Sequence, residues 1–578
     1  MATPGSHRTG PVPRPRIHLP PPTPAPKTLE NFDSHYANRV MLILAGIVVV
    51  VLYIEGMLTP SLPTIQSDFH VDTAQVSLII SAYAASGVAL SPIVGKLGDI
   101  YGKRKVLSIV MLGYAAAVSV TGFSPNFTFM VAARTVQGIG LTIMPIGMAL
   151  VREEFPRELV PRAQGLLSAM FGIGFVISLP LGSFVSQNYG WRDTYHSAIP
   201  FVVLLAVLVV LFVRESPYRR PNTRVDYVGA ALLGGALAGI VVGLSQGQAW
   251  GWTSWRTLAF FGAGAGLFVP FAWYEAWWRR RQRDPIVDGR LLRERNVAVT
   301  NAVLTVVGIG MNLALFSLIY QFEFPAASGG YNSKFPDFNI LSAGLDIIPL
   351  ALAMIVVATI TSFTVSRTGV KPLALAGAGL TALGFYLLSL ATTLQQALIY
   401  EFVVGAGLAL LNASVINLLI LTVDPKDMGQ ATAMNNVFRN IGGSVGSPIA
   451  GSLLATYVTG AVTPFGIISV PTHLAFQYAF WIAATVTLVG GLTVLFGHEV
   501  LGPSRHARFA HLPVLMRRSA RAGGPKPTAP SNTPSVPLPE AANGARATAS
   551  TNPQRASPDT PCDAVKMARA AVNPVVSS

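Results

Sequence analysis

Five ionisable side chains stand inside long apolar runs of this 578-residue chain. They are Glu55, Arg134, Asp346, Glu401 and Arg439. An ionised side chain in an apolar segment is costly unless it is paired or hydrated, so each position is a candidate functional site. Asp346 and Glu401 lie near the ends of their runs, where contact with water is the alternative. For Arg134, which lies farther from an end, the alternative is a structural ion pair.

Glu55 and Arg134 together have the most specific chemistry. Burial disfavours the charged form of a carboxyl and raises its pKa, whereas a nearby guanidinium favours the charged form and lowers the pKa. A carboxyl subject to both effects can exchange a proton near neutral pH. Such an exchange can be coupled to a conformational change. We therefore predict that Glu55 and Arg134 are the proton-coupling pair, although the sequence alone does not say whether they face each other.

Further polar side chains in the later apolar runs are candidates for contact with a small-molecule substrate. We assign Asp346, Arg439, Asn436 and Asn312 to this group. Asp346 is the member that would attract a substrate with positive charge.

The elements that must position these residues are membrane helices. Only 12% of the residues are charged, against about 25% in soluble domains, and the mean hydropathy is +0.51. Fourteen apolar runs lie between about residues 40 and 497, each long enough or nearly so to cross a hydrocarbon layer about 30 Å thick. Lipid-exposed spans must satisfy their own backbone hydrogen bonds, so we predict an all-α membrane protein.

The basic residues indicate the orientation. One set of loops between the runs holds 21 lysines and arginines, and the opposite set holds three. Cytoplasmic loops carry the excess of basic residues, and an even number of spans places both termini on that same side. We expect a multi-pass protein of the cytoplasmic (plasma) membrane with both termini cytoplasmic. This map explains the net charge of +15 without nucleic acid as a partner.

The fifth run, 163–186, and the thirteenth, 431–457, are both rich in glycine and proline. A similar pattern in two runs favours paired halves, as in transporters built from repeats. We predict five parts: a disordered Pro-rich tail (1–38), a six-helix bundle (39–213), two extra spans with a basic loop (214–296), a second six-helix bundle (297–500) and a disordered basic tail (501–578).

Residues 95–107, GKLGDIYGKRKVL, lie between the second and third runs. They resemble the loop between spans two and three of the major facilitator superfamily. The resemblance implies a cytoplasmic gate, in which a charge cluster holds the two halves together in the outward-facing state. The residues carried over to this gate are Gly95, Asp99, Gly102 and Arg104.

Residues 133–140, ARTVQGIG, are similar to the R-x-x-Q-G-x-G motif of the fourth span in the same family. That similarity links Arg134 to proton transfer. Residues 275–296 and the stretch from Val437 to Gly446 resemble the fourteen-span drug:proton antiporters within it. The fold that the resemblance implies is two six-helix bundles plus two extra transmembrane helices.

The leading functional hypothesis is a proton-coupled exporter of drug-like or amphiphilic small molecules that works by alternating access. One alternative is an exporter of an endogenous lipid, metabolite or siderophore. Another is a non-transporting membrane receptor or scaffold. The only cysteine is Cys562, and neither metal-ligand spacing nor a phosphate-binding loop is present. We therefore expect a monomer without enzyme activity, cofactor or metal.

Overall fold

The computed structural model describes residues 33–155, 159–215, 219, 224–334, 339–424, 427–463 and 466–498. The predicted disorder of the two tails concerns mostly residues outside these ranges. All described residues belong to one unit of the chain.

The first half of the chain is helical almost throughout. Its helices are α1 (Ser34–Gly56), α2 (Leu62–Phe69), α3 (Thr73–Tyr101), α4 (Lys103–Gly122), α5 (Phe127–Gln137), α6 (Ile143–Glu154), α7 (Val160–Tyr189) and α8 (Trp191–Phe212). Short 3-10 turns join α1 to α2 and α5 to α6, so each of these pairs forms one longer rod.

The middle section and the second half follow the same plan. The middle helices are α9 (Tyr227–Trp250), α10 (Trp255–Arg280) and α11 (Gly289–Arg293). The second half contains α12 (Arg295–Glu323), α13 (Ile340–Asp346), α14 (Ile348–Thr368), α15 (Val370–Ser389), α16 (Leu394–Thr422), α17 (Met428–Thr456) and α18 (His473–Leu492).

Twelve helical segments among the described residues are long and apolar enough to cross a membrane. The longest is His35–Phe69, at 35 residues, and the shortest, such as Lys103–Gly122, have 20. The fifth and thirteenth predicted runs coincide with α7 and α17, which have 30 and 29 residues and are not among the twelve.

The structure adds two details to the predicted parts of the chain. Helix α1 begins at Ser34, before the predicted start of the first bundle at residue 39. The Asp33 carboxylate accepts a hydrogen bond from the Tyr36 N–H and so caps the helix ahead of its apolar run. An antiparallel hairpin of β1 (Val458–Thr463) and β2 (Gly466–Pro471) joins α17 to α18, which adds two strands to the predicted helices.

The two halves repeat one packing scheme. In the first half, the fifth rod, α7, packs on the first rod, and a Cβ at Gly182 would overlap the Met57 backbone. In the second half, the fifth rod, α17, packs on the first helix, α12, and a Cβ at Gly442 would overlap the Thr305 carbonyl oxygen. The two glycine-rich runs therefore serve equivalent close contacts, as small residues do in membrane bundles.

We call the end of the bundle where α2 ends and α3 begins the distal face, and the opposite end, where α3 ends and α4 begins, the proximal face. Two hydrogen bonds among the described residues join the halves, and both lie at the distal face. The Tyr320 hydroxyl donates to Gln66 Oε1 at 2.8 Å, and the Ile340 N–H donates to Gln187 Oε1 at 2.8 Å. The distal face is therefore closed between the halves.

Candidate functional site

The structure brings Glu55, Arg134 and Arg439 into one electrostatic group. Glu55 lies on α1, Arg134 on α5 and Arg439 on α17, each well inside its rod. The positive charges of both arginines act on the Glu55 carboxyl. Since Arg439 belongs to the second half, this carboxyl is influenced by charges from both halves. Glu55 and Arg134, whose relative position the sequence left open, therefore lie within electrostatic range of each other.

Arg134 is held in place by three partners within the first half. Its side chain is only 1% exposed. The guanidinium donates to the Ile79 carbonyl oxygen at 3.1 Å and to Gln137 Oε1 at 2.6 Å. It also lies over the Tyr83 ring, with 4.7 Å from Cζ to the ring centroid. These contacts fix the orientation of a buried cation, whose planar donors require such partners.

Sequence reasoning missed the phenol groups around this arginine. Tyr83, Tyr114 and Tyr195 are almost completely buried, and the Arg134 charge acts on all three. Their buried hydroxyl groups form no hydrogen bond with another described residue, so the three tyrosines are linked to this cation by proximity. No sequence signal separates them from packing aromatics, whereas Gln137 could have been found, because it is the glutamine of the R-x-x-Q-G motif.

The predicted substrate-cavity residues fall into two places. Three of them lie well inside their helices and are partly accessible to solvent: Asn312 on α12, and Asn436 and Arg439 on α17. Asp346 ends α13 at the distal face, and its charge acts on Glu401. The structure therefore gathers three of the four candidates on the α12–α17 pair and places Asp346 in a second acidic region.

Glu401 and Glu323 are buried acids near the distal ends of their helices. Both side chains are 0% exposed, so the alternative that Glu401 reaches water is wrong for this conformation. The carboxyl oxygens of both residues have no hydrogen-bond partner among the described residues. Glu323 was missed because it lies just beyond the predicted apolar run.

The charge cluster around Lys103 in the gate loop forms contacts within the first half. Lys103 is buried and binds two carboxylates, Asp99 Oδ1 at 2.8 Å and Glu153 Oε1 at 2.7 Å. This arrangement ties the end of α3 to α6 through the first residue of α4. A buried lysine placed between two acids is the kind of charge cluster that favours one of two packings.

Gly102 and Arg104 complete this loop. Gly102 has φ of +106°, and a Cβ there would meet the Glu215 carboxylate, so glycine is needed at this position. The Glu215 carboxylate accepts hydrogen bonds from the N–H groups of Arg104 and Lys105, both at 3.1 Å. The Arg104 side chain donates to the Val210 carbonyl oxygen. By contrast, a Cβ at Gly95 would meet nothing within 4 Å.

Among the described residues, no group of three or more His, Cys, Asp or Glu side chains is arranged to hold a metal ion. The site is thus composed of arginines, carboxyls, amides and phenols. Two matched helical halves that enclose ionisable side chains at mid-length are the architecture of a secondary transporter.

Comparison with known proteins agrees with this class. A family model described as Major Facilitator Superfamily matches residues 44–367 and 337–537. The chain belongs to the Major Facilitator Superfamily. The human organic anion transporter MFSD10 has a similar structure, with a TM-score of 0.54 and 15% sequence identity over 79% of this chain and 99% of that one.

Two relatives are named for drug resistance. The multidrug resistance protein Stp of Mycobacterium tuberculosis is 25% identical over 73% of this chain and 77% of its own length. The tetracenomycin C resistance and export protein of Streptomyces glaucescens is 25% identical over 70% of this chain and 73% of its own length. The chain is therefore a superfamily transporter similar to multidrug exporters.

Proposed function

We propose that this protein is a proton-coupled antiporter that exports drug-like or amphiphilic molecules. The observation that carries the proposal is the position of the Glu55 carboxyl within reach of the charges of Arg134 and Arg439. An acid between cations from two halves of a carrier can link its protonation state to the packing of those halves.

The mechanism follows from the charges. Deprotonated Glu55 attracts Arg134 and Arg439, which favours the approach of α1 and α5 to α17. Protonation removes the negative charge and weakens that attraction, so it favours the alternative packing. Because the proton is taken up on one side and released on the other, its gradient drives the cycle in one direction.

The proposed substrate class rests on the relatives and on the residues of the cavity. Asn312, Asn436 and Arg439 offer amide and cationic groups on the α12–α17 pair, and Asp346 offers a carboxyl nearer the distal face. The names of the relatives from Mycobacterium tuberculosis and Streptomyces glaucescens, which refer to multidrug resistance and to resistance to and export of tetracenomycin C, favour a drug-like molecule as the cargo.

For the membrane arrangement we propose fourteen spans, with α7 and α17 added to the twelve apolar segments, and both termini in the cytoplasm. The 21 basic residues on one set of loops against three on the other support this orientation. The proximal face is then cytoplasmic, and Asp99, Gly102 and Arg104 belong to a cytoplasmic gate. We propose a monomer in the cytoplasmic membrane, with protons and a small molecule as its ligands.

The coupling is tested with Glu55→Gln, which keeps the size of the side chain and removes its charge. In inverted vesicles that carry the wild-type protein, uptake of a fluorescent amphiphilic dye should depend on a pH gradient. We expect dye uptake by Glu55→Gln to be independent of the pH gradient. Its rate of accumulation against a dye gradient should be at least about tenfold lower than that of the wild type, while movement down the dye gradient continues.

Asp193→Asn is the matched control, because Asp193 is an exposed carboxylate in the first turn of α8. It should transport as the wild type does. A Glu55→Gln protein that still accumulates dye in response to the gradient would contradict the coupling proposal. Deletion of the gene that leaves the drug-resistance profile unchanged but makes a metabolite accumulate would instead point to an endogenous cargo.

A further inference from the structure

A second pair of carboxyls lies at the proximal face, between the two extra helices. Asp226 caps α9, and its Oδ1 accepts a hydrogen bond from the Gly229 N–H at 2.7 Å. Glu275 lies near the end of α10, and its Oε2 accepts a long hydrogen bond from the Val287 N–H at 3.4 Å. Each side chain is only 5% exposed. One oxygen of each carboxyl thus accepts a hydrogen bond from a backbone N–H group.

The remaining oxygen of each carboxyl, Asp226 Oδ2 and Glu275 Oε1, is buried and lacks a hydrogen-bond partner among the described residues. The two side chains are nevertheless close enough to hydrogen-bond to each other. Two ionised carboxylates can only accept hydrogen bonds and repel each other. A single proton shared between them turns one into a donor and gives both oxygens a partner.

A small cavity lies against one member of this pair, Asp226. Its volume is about 20 Å³, which is enough for one water molecule. Its lining consists of Pro92, Lys96, Asp226, Asp284, Pro285 and Ile286. Lys96, which is part-exposed, and Asp284, which is exposed, form an ion pair, so the cavity lies close to solvent at the proximal face.

The charged groups around the pair already have partners. Lys96 of α3 binds Asp284, and Arg279 of α10 lies 3.4 Å from Asp288. Tyr274 of α10 lies within electrostatic range of both carboxyls and of Arg283, whose guanidinium lies over the Trp278 ring. Burial raises the pKa of Asp226, consistent with a retained proton.

We propose that Asp226 and Glu275 form a proton-binding site at the proximal face, separate from Glu55. The bound proton joins the start of α9 to α10 and to residues 284–288, the segment that reaches α3 through Lys96. Loss of the proton leaves two adjacent buried negative charges and weakens this junction. The extra helices therefore respond to the pH on the proximal side.

The site is tested by thermal unfolding of the full-length protein in detergent from about pH 5 to about pH 9. A carboxyl that binds its proton more tightly when folded stabilises the protein at low pH, and this stabilisation is lost as the pH rises. The wild-type midpoint should therefore fall by several degrees across the range. Asp226→Asn and Glu275→Gln, which both provide a neutral N–H donor, should flatten that fall.

Asp33→Asn is the matched control, because Asp33 is also an aspartate cap at the proximal face but is exposed. It should keep the wild-type pH profile. Infrared difference spectra between the two pH limits give a second readout. A protonated-carboxyl band that disappears on alkalinisation should be present in the wild type and in Glu55→Gln, and reduced in Glu275→Gln.

Two results would overturn the assignment. One is an unchanged pH profile together with an unchanged infrared band in both Asp226→Asn and Glu275→Gln. The other is stabilisation of the wild type by Na⁺ at constant pH that both variants lack, since a metal cation would then occupy the site. Because Glu55→Gln is measured separately, a negative result for the Asp226–Glu275 site can be distinguished from a negative result for proton coupling at Glu55.

Discussion

At the scale of single residues, the most demanding problem is the buried guanidinium of Arg134. An arginine has five N–H donors and stays charged, so burial requires acceptors at fixed positions. The Ile79 carbonyl oxygen and Gln137 Oε1 supply two of them, and the Tyr83 ring covers one face. The orientation of the cation that acts on Glu55 therefore depends on neutral neighbours.

We expect Gln137→Leu to destabilise the protein by about 1.5–3 kcal/mol, because it leaves a donor of a buried cation without a partner. Gln137→Glu keeps an acceptor and should be milder. Gln477→Leu, which removes only a neutral hydrogen bond to the Ser389 carbonyl oxygen, is the control and should lose about 1 kcal/mol. Urea unfolding in detergent measures all three, and equal losses for Gln137→Leu and Gln477→Leu would contradict the argument.

At the scale of elements, close helix contacts position the site. The α12–α17 contact allows no side chain at several points, since a Cβ at Gly308 would overlap the Arg439 carbonyl oxygen and one at Gly446 the Ile309 carbonyl oxygen. The helix that carries Arg439 is thereby held directly against the helix that carries Asn312. Equivalent glycines hold α7 against α1, the helix that carries Glu55.

Gly442→Ala should therefore destabilise the protein by about 1–3 kcal/mol through overpacking against Thr305, and should slow transport. Gly379→Ala is the control, because a Cβ there meets nothing within 4 Å. That change should be neutral or stabilising by up to about 1 kcal/mol, since alanine favours the helix. Thermal unfolding compares the two variants, and a Gly442→Ala protein as stable as Gly379→Ala would show that the helices are not in close contact.

At the scale of the whole molecule, closure at the distal face defines the conformation. The Tyr320–Gln66 hydrogen bond joins α12 to α2, and Ser77 of α3 packs against Gly451 of α17. Each of these contacts joins a residue of the first half to a residue of the second half. An alternating-access transporter must break such contacts in its other state.

Tyr320→Phe removes one hydrogen bond across the halves, worth about 1 kcal/mol, and should shift the ratio of closed to open distal states about fivefold. A cysteine in place of Ser77, in a Cys562→Ser background, reports the shift as faster labelling by a membrane-impermeant thiol reagent. Tyr331→Phe is the control, because the Tyr331 hydroxyl binds the Ala391 carbonyl oxygen within the second half. Equal labelling rates in both variants would contradict a role for Tyr320 in closure.

The sequence by itself determined the membrane class, the helical runs and the family. Apolar runs of membrane length require helices, and local motifs such as GKLGDIYGKRK and ARTVQG lie on contiguous residues, so no tertiary contact is needed to read them. The gate residues Asp99 and Gly102 and the motif residue Arg134 could be chosen on that basis. The charge sums of the loops likewise need no tertiary structure.

Only the tertiary structure decided which of these residues meet. In a membrane protein the lipid-facing and core-facing sides of a helix are both apolar, so hydropathy does not show which way Glu55, Arg439 or Glu401 faces. The structure placed Arg439 near Glu55 across 384 residues of chain and buried Glu401. It also placed Asp226 beside Glu275. These pairings depend on the packing of helices from distant parts of the chain, which no local pattern encodes.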